Sequence, residues 1–262
     1  MSSISRFLHQ SILSYKSLYG FLDPKIYILV KIVTPIMQLI FFVLLASYVN
    51  DSQDLTPWVL GNCFILSMYN SLFGVGAVLV SERSFGTLSL LMISPTNNFL
   101  ILIGRAFIHI FDATITVAIG LIAGYLLFDL NFENTNFPLL ILCIVIAMFS
   151  AMGIGLFISS AGLITSDVNL VLNTSVFVLM IFTGALFPLN NLPTALSGIP
   201  YFLPLTRGIE ASKMIVNGNF SNQVIDLLAK ELLIGLIYMI LGYLLLRYTD
   251  KKSREKATLD IY

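Results

Sequence analysis

Charge is what this sequence lacks most: Asp, Glu, Lys and Arg together make up 11% of its 262 residues, against roughly a quarter in soluble domains. A chain that is 57% hydrophobic, with a mean hydropathy of +0.92, cannot hide its apolar surface inside one globule, so its solvent is a lipid bilayer. The formal net charge is zero, which removes the electrostatic basis for a nucleic-acid partner. Cysteine is nearly missing. Cys63 and Cys143 each sit within an apolar run, without paired spacing, and read as small core residues rather than a disulfide or metal ligands. No Cys/His cluster suggests a metal, and no Ser, His and acid arrangement marks a nucleophile. A G-x-x-x-x-G-K-S/T loop is also missing, so this chain has no such cradle for ATP. No catalytic residue, metal site or cofactor is therefore assigned to the chain itself. A signal peptide is not expected either, because Arg6, His9, Lys16 and Asp23 interrupt any apolar core near the N-terminus.

What the sequence has in abundance is long apolar runs. Six reach the length of about 20 residues that a spanning helix needs: roughly 26 to 49, 57 to 80, 99 to 128, 137 to 164, 168 to 188 and 231 to 248. Ahead of them, Ile4, Phe7, Leu8, Ile12, Tyr15, Leu18, Tyr19 and Leu22 recur at helical spacing opposite Arg6, His9, Gln10 and Ser14. This predicts an amphipathic interfacial helix within residues 1 to 25, ended by Asp23-Pro24. Lysine and arginine cluster on one side. Arg6, Lys16, Lys25, Lys31, Arg83, Arg105, Arg247, Lys251, Lys252, Arg254 and Lys256 fall together if the N-terminus is cytoplasmic, leaving Arg207, Lys213 and Lys230 outside. The positive-inside rule then places both termini in the cytoplasm. Gly120 and Gly124 form a G-x-x-x-G, and Gly155 with Ser159 repeats the small spacing, which reads as close packing within the chain.

Two loops stand apart. Between the fifth and sixth runs, residues 188 to 220 are apolar but cut by Pro188, Pro193, Pro200 and Pro204, so they cannot form one spanning helix. They predict short helices re-entering the outer leaflet, then an amphipathic helix from Thr206 to Val216 closed by Asn217-Gly218. Between the second and third runs, residues 81 to 98 face the cytoplasm. Leu88 to Ile93 span only about 9 Å if helical, with Thr87 as a cap, Gly86 permitting a reversal and Pro95 blocking continuation. Such a helix either is gripped by a soluble partner or lies on lipid headgroups.

"SERSFGTLSLLMISPTNNFLILIGR" and "TGALFPLNNLPTALSGIPYFLPLTRGIEA", in that order, resemble the two signatures of the ABC-2 type transporter permease family. The resemblance covers the whole chain as a single domain, residues 1 to 262. It implies an all-α integral membrane protein with six transmembrane helices, the N-terminal interfacial helix and re-entrant outer helices between spans five and six. Glu82, Arg83, Gly86, Thr87, Leu88, Leu91 and Pro95 would form the segment that couples to an ATPase, and Pro188, Pro193, Pro204 and Thr206 the outer hairpin. Ser84 and Phe85 stand where many members place a second acid, so polar contacts with the ATPase would be fewer. The implied partners are two ABC ATPase subunits carrying ATP and Mg, a second permease chain identical or homologous to this one, and the lipids of a bacterial inner membrane.

Within the membrane, His109 and Asp112 lie one turn apart, Asp112 about 10 Å deeper than Arg105. They read as a polar contact at the cytoplasmic entry, as a proton-linked site, or as a satisfied helix–helix pair reaching Arg105. Asn62, Ser67 and Asn70 of the second run, with Asn173, Thr174, Phe177 and Met180 of the fifth, are the candidate substrate path implied by the resemblance; interhelical hydrogen bonding is the competing role. The expected function is the membrane subunit of an exporter for a hydrophobic or amphipathic cargo such as a drug, antibiotic, peptide or lipid. The alternatives are a polysaccharide or lipid-linked glycan exporter, a non-transporting anchor or sensor for an ATPase, and an ATP-independent carrier, against which the coupling segment argues.

Overall fold

The computed structural model describes residues 11–13, 16, 20, 23–50, 54–76, 79, 82, 86, 98–161 and 167–256, and among them there is helix and turn but no strand. Asp23 caps α1 (Pro24–Ile28): its carboxylate accepts the Lys25 N–H at 2.8 Å, and Pro24 occupies a first-turn position where no N–H is required. The helix continues as α2 (Thr34–Asn50), but the five residues between, Leu29–Val33, form a wide π-type turn. Pro35 explains the widening. It has no N–H for the Lys31 carbonyl, and its ring crowds that oxygen. The Thr34 N–H reaches the Leu29 carbonyl five residues back instead, and the Thr34 hydroxyl donates to the same oxygen at 3.1 Å. The run read as 26 to 49 is thus one rod with a bulge at Lys31.

The remaining helices are α3 (Thr56–Gly76), α4 (Asn98–Phe128), α5 (Phe137–Ala161), α6 (Val168–Phe182), α7 (Thr206–Val216) and α8 (Asn222–Lys256). Helix is the form that satisfies every backbone polar group without water. Among the described residues, four stretches are long and apolar enough to cross a membrane: Pro24–Val49, Thr56–Gly76, Phe99–Phe128 and Phe137–Ala161. The run read as 168 to 188 is helical only to Phe182. There the Thr183 hydroxyl donates back to the Leu179 carbonyl at 2.6 Å and Gly184 turns to φ 75°. At 15 residues α6 rises about 22 Å.

The four prolines after α6 have the effect expected of them, and more. Where the sequence predicts short helices, the chain makes only single 3-10 turns, Leu189–Asn191 and Ile199–Phe202, joined by bends. Pro188 and Pro193 are exposed, whereas Pro204 and Thr206 are buried at the start of α7. The α7 helix ends as Asn217-Gly218 dictates, with Gly218 at φ 75° and the Asn219 N–H on the Met214 carbonyl at 2.9 Å.

Buried on most sides, α3 is the central element, and Phe64, Leu60, Ile65, Met68 and Leu72 are fully enclosed. Gly120 and Gly124 of α4 face it: added Cβ atoms there would stand 2.6 Å from Cys63 Sγ and 2.5 Å from Val59. The closest helix contact was not signalled by either small-residue spacing. Along α5 and α8, Gly153 packs on the Gly235 carbonyl and Gly235 on the Ser150 backbone, where a Cβ would come within 2.6 and 2.8 Å. Backbones this close supply the van der Waals contact that replaces the hydrophobic effect between helices in lipid.

Candidate functional site

Polar side chains gather at three levels. In the N-terminal part of α4, Arg105 donates to the Glu82 carboxylate, and both side chains are largely buried. Glu82, read as an ATPase contact, is therefore also an anchor between its own segment and α4. Gly86 has φ 68° with open space where a Cβ would stand. That is the left-handed conformation a sharp reversal needs and L side chains avoid. Arg83, Thr87, Leu88, Leu91 and Pro95 lie outside the described residues, as does most of the interfacial helix expected within residues 1 to 25. From that N-terminal stretch, Ser11 donates to the Gly104 carbonyl.

The middle level crosses three elements. Lys31 Nζ, in the π-type turn, stands 2.5 Å from Asp112 Oδ2 of α4, and the two residues are 6% and 8% exposed. One turn on, Thr116 donates its hydroxyl to the Asp112 carbonyl at 3.0 Å and accepts from Asn70 Nδ2 of α3 at 2.7 Å. The partner of Asp112 is thus a lysine that the sequence reading counted among the inner-side charges. His109 is fully buried and packs on Gly74, where a Cβ would meet its Nδ1 at 2.4 Å. Beside the ion pair a recess of about 390 Å³ is lined by Tyr27, Lys31, Ile32, Ile108, Phe111, Asp112, Ile115, Thr116 and Ile119. A second, almost wholly apolar cavity of about 490 Å³ lies between α4 and α5, walled by residues that include Tyr125, Phe132 and Phe137.

The third level centres on Glu231, the residue at which the last apolar run begins and 0% exposed. Its Oε1 accepts the Leu205 N–H at 2.6 Å and the Ser150 hydroxyl. Leu205 is the residue before α7 and takes φ 72°, a conformation that costs a side-chain-bearing residue roughly 1–2 kcal/mol. The carboxylate thus sits at the N-terminus of α7, where unpaired N–H groups and the helix dipole favour an anion. Two more contacts pin the proline-broken segment between α6 and α7: Lys213 Nζ donates to the Gly184 carbonyl at 2.9 Å, and the Tyr238 hydroxyl to the Phe202 carbonyl at 3.2 Å. Burial pushes the Lys213 ammonium down to about 8, with Glu210 opposing.

The seven candidate path residues do not come together. Asn62 and Ser67 are buried inside the chain; Asn62 Nδ2 donates to the Trp58 carbonyl at 2.8 Å and the Ser67 hydroxyl to the Phe64 carbonyl at 2.8 Å. Asn70 belongs to the middle level, and Met180 is buried. Asn173, Thr174 and Phe177 instead share an exposed face of α6 with Asn169 and Ile181. Lys31, Ser150 and Glu231 are polar groups the sequence reading did not single out. For Lys31 and Glu231 the signal was present, since each is a charge at or within an apolar run.

The ABC-2 type transporter family profile matches residues 11–216. Two relatives, each named a probable multidrug ABC transporter permease YbhR, come from Escherichia coli K12 and Escherichia coli O157:H7. Both are 30% identical over 140 residues, 51% of this chain and 36% of theirs, so the chain aligns with only about a third of their length. Since the family profile spans most of this chain of long apolar helices, the protein belongs to the ABC-2 type transporter family.

Proposed function

We propose that this chain is the permease half of an ATP-driven exporter that carries a hydrophobic or amphipathic cargo out of the cytoplasm or inner leaflet of a bacterial inner membrane. In this reading α6 and α8 complete six crossings, both termini are cytoplasmic, the 188 to 205 segment re-enters the outer leaflet, and residues 81 to 98 dock on the ATPase. Two permease chains work with two ATPase subunits, which hold the ATP and Mg. ATP binding closes the ATPase pair, and the coupling segments tilt the two helical bundles between inward-open and outward-open states. The observation that carries the reading is the exposed face of α6, where Asn169, Asn173 and Thr174 hold polar side chains beside Leu170, Phe177 and Ile181. Although the Asn173 amide donates to the Asn169 carbonyl at 2.7 Å, the amide oxygens and the Thr174 hydroxyl face where lipid offers no partner. A second permease chain across a water-accessible path would cover them. The relatives' printed name, multidrug permease, favours an amphipathic drug-like cargo over a glycan.

The test is a mild-detergent purification of wild type and of Leu88→Asp/Leu91→Asp, followed by reconstitution. Co-purification of an ATPase with wild type, its loss from the folded variant, and cargo-stimulated ATP hydrolysis with vectorial transport are expected. ATPase association without transport of any amphiphile would favour the anchor or sensor role.

A further inference from the structure

We infer that the recess beside Lys31 and Asp112 is a binding site for a zwitterionic amphiphile, with its cationic group on Asp112, its anionic group on Lys31 and its chain along Ile32, Phe111 and Ile115. This goes beyond the exporter reading, since it holds whether the occupant is cargo or a resident lipid.

Four features support it. The volume, about 390 Å³, is that of a small-ligand site. The recess is divided in the way an amphiphile requires: the ion pair is buried at its wall, whereas Ile32, Phe111 and Ile115 are exposed on its rim. The bulge enforced by Pro35 includes Lys31 and sets its ammonium opposite α4, and such bulges are common at functional sites. Finally, the pair is neutral overall. A net anion would leave Asp112 without compensation, and a net cation would leave Lys31 so; either is costly away from water. A zwitterion replaces one internal pair by two external ones and leaves no charge unpaired. Thr116 and Asn70 fix the α4 wall from behind through the Asp112 carbonyl.

The experiment is native mass spectrometry of the full chain released from vesicles containing equal parts of phosphatidylethanolamine and phosphatidylglycerol. Wild type is expected to retain phosphatidylethanolamine roughly tenfold over phosphatidylglycerol, corresponding to ~1.4 kcal/mol. Asp112→Asn leaves the lysine as the only charge of the pair and should turn the preference toward phosphatidylglycerol, an inversion that a purely structural pair would not produce. Should that variant fail to fold, Lys31→Met/Asp112→Leu replaces the pair by apolar groups of similar size, and Ile115→Trp fills the recess with the pair intact; the first should abolish the preference and the second the binding. Equal retention of both lipids by wild type, or an unchanged preference in the folded double variant, would overturn the inference. Loss of the lipid on ATP addition in the presence of the ATPase would identify the occupant as cargo, and retention as a resident lipid; both uphold the site.

Discussion

Two buried acids, Asp112 in α4 and Glu231 in α8, face the same physical difficulty and meet it with different partners. Asp112 is matched by a full opposite charge, Lys31, from a neighbouring element. Glu231 is hydrogen-bonded by neutral donors, the Leu205 N–H and the Ser150 hydroxyl, at the positive end of α7, with the Arg207 charge acting on it without a direct ion pair. A side-chain ion pair depends on both side chains and can be exchanged for other ions. A helix end is made of backbone and cannot be mutated away or carried off by a ligand. The first arrangement suits a place where something binds; the second suits a fixed joint, here between α5, α7 and α8.

Removing one partner separates the two most sharply. Asp112→Ala leaves Lys31 without its carboxylate and should cost about 3–5 kcal/mol of stability, the range for breaking a buried pair, whereas Lys31→Met/Asp112→Leu should recover most of the loss. Thermal unfolding in one detergent reads both, and a double variant as unstable as the single would mean the pair is not the cost. At the α5–α7–α8 joint Glu231→Leu should cost less, about 1–3 kcal/mol, by orphaning the Leu205 N–H, while Glu231→Gln keeps an acceptor oxygen and should lie well below that. If Gln proves as damaging as Leu, the charge rather than the acceptor holds α7. Ser150→Ala removes one donor of the joint and should cost about 1 kcal/mol by the same measurement.

Much of this was legible in the sequence. Apolar runs located the helices, Asn217-Gly218 ended α7, and the proline spacing showed that one continuous helix could not follow α6, although the short helices expected there are only single 3-10 turns. The reasons for what was missed are physical. Pro35 was read as part of a span, but a proline inside a helix displaces the carbonyl four residues back, and that is what placed Lys31 in a bulge. The α5–α8 contact uses Gly153 with Gly235 and Gly242, glycines on two helices far apart in sequence, so no single-helix spacing reveals it. Asn62 and Asn173 looked alike as intramembrane amides, yet one turns into the core and the other outward, and only the packing of α3 and α6 decides which. The partner of Glu231 is a backbone N–H made available by the left-handed turn at Leu205, and backbone geometry of that kind leaves no residue-type signature outside glycine.

The third acid, Glu82, sharpens the contrast from the weakest side. Its carboxylate pairs with Arg105 at 14% and 23% side-chain exposure, less enclosed than Lys31 and Asp112, and Glu82→Gln, which keeps an oxygen to accept from Arg105, should cost about 1 kcal/mol. Small stability effects make this the cleanest place to separate structure from coupling. Exchanging the charges, Glu82→Arg with Arg105→Glu, restores the pair with its polarity reversed. If the ATPase reads the Glu82 carboxylate, the exchanged chain should fold normally and yet lose ATPase co-purification. If Glu82 serves only to hold its segment against α4, the exchange should restore both folding and association, and the coupling contact must then be made by the apolar stretch from Leu88 to Ile93.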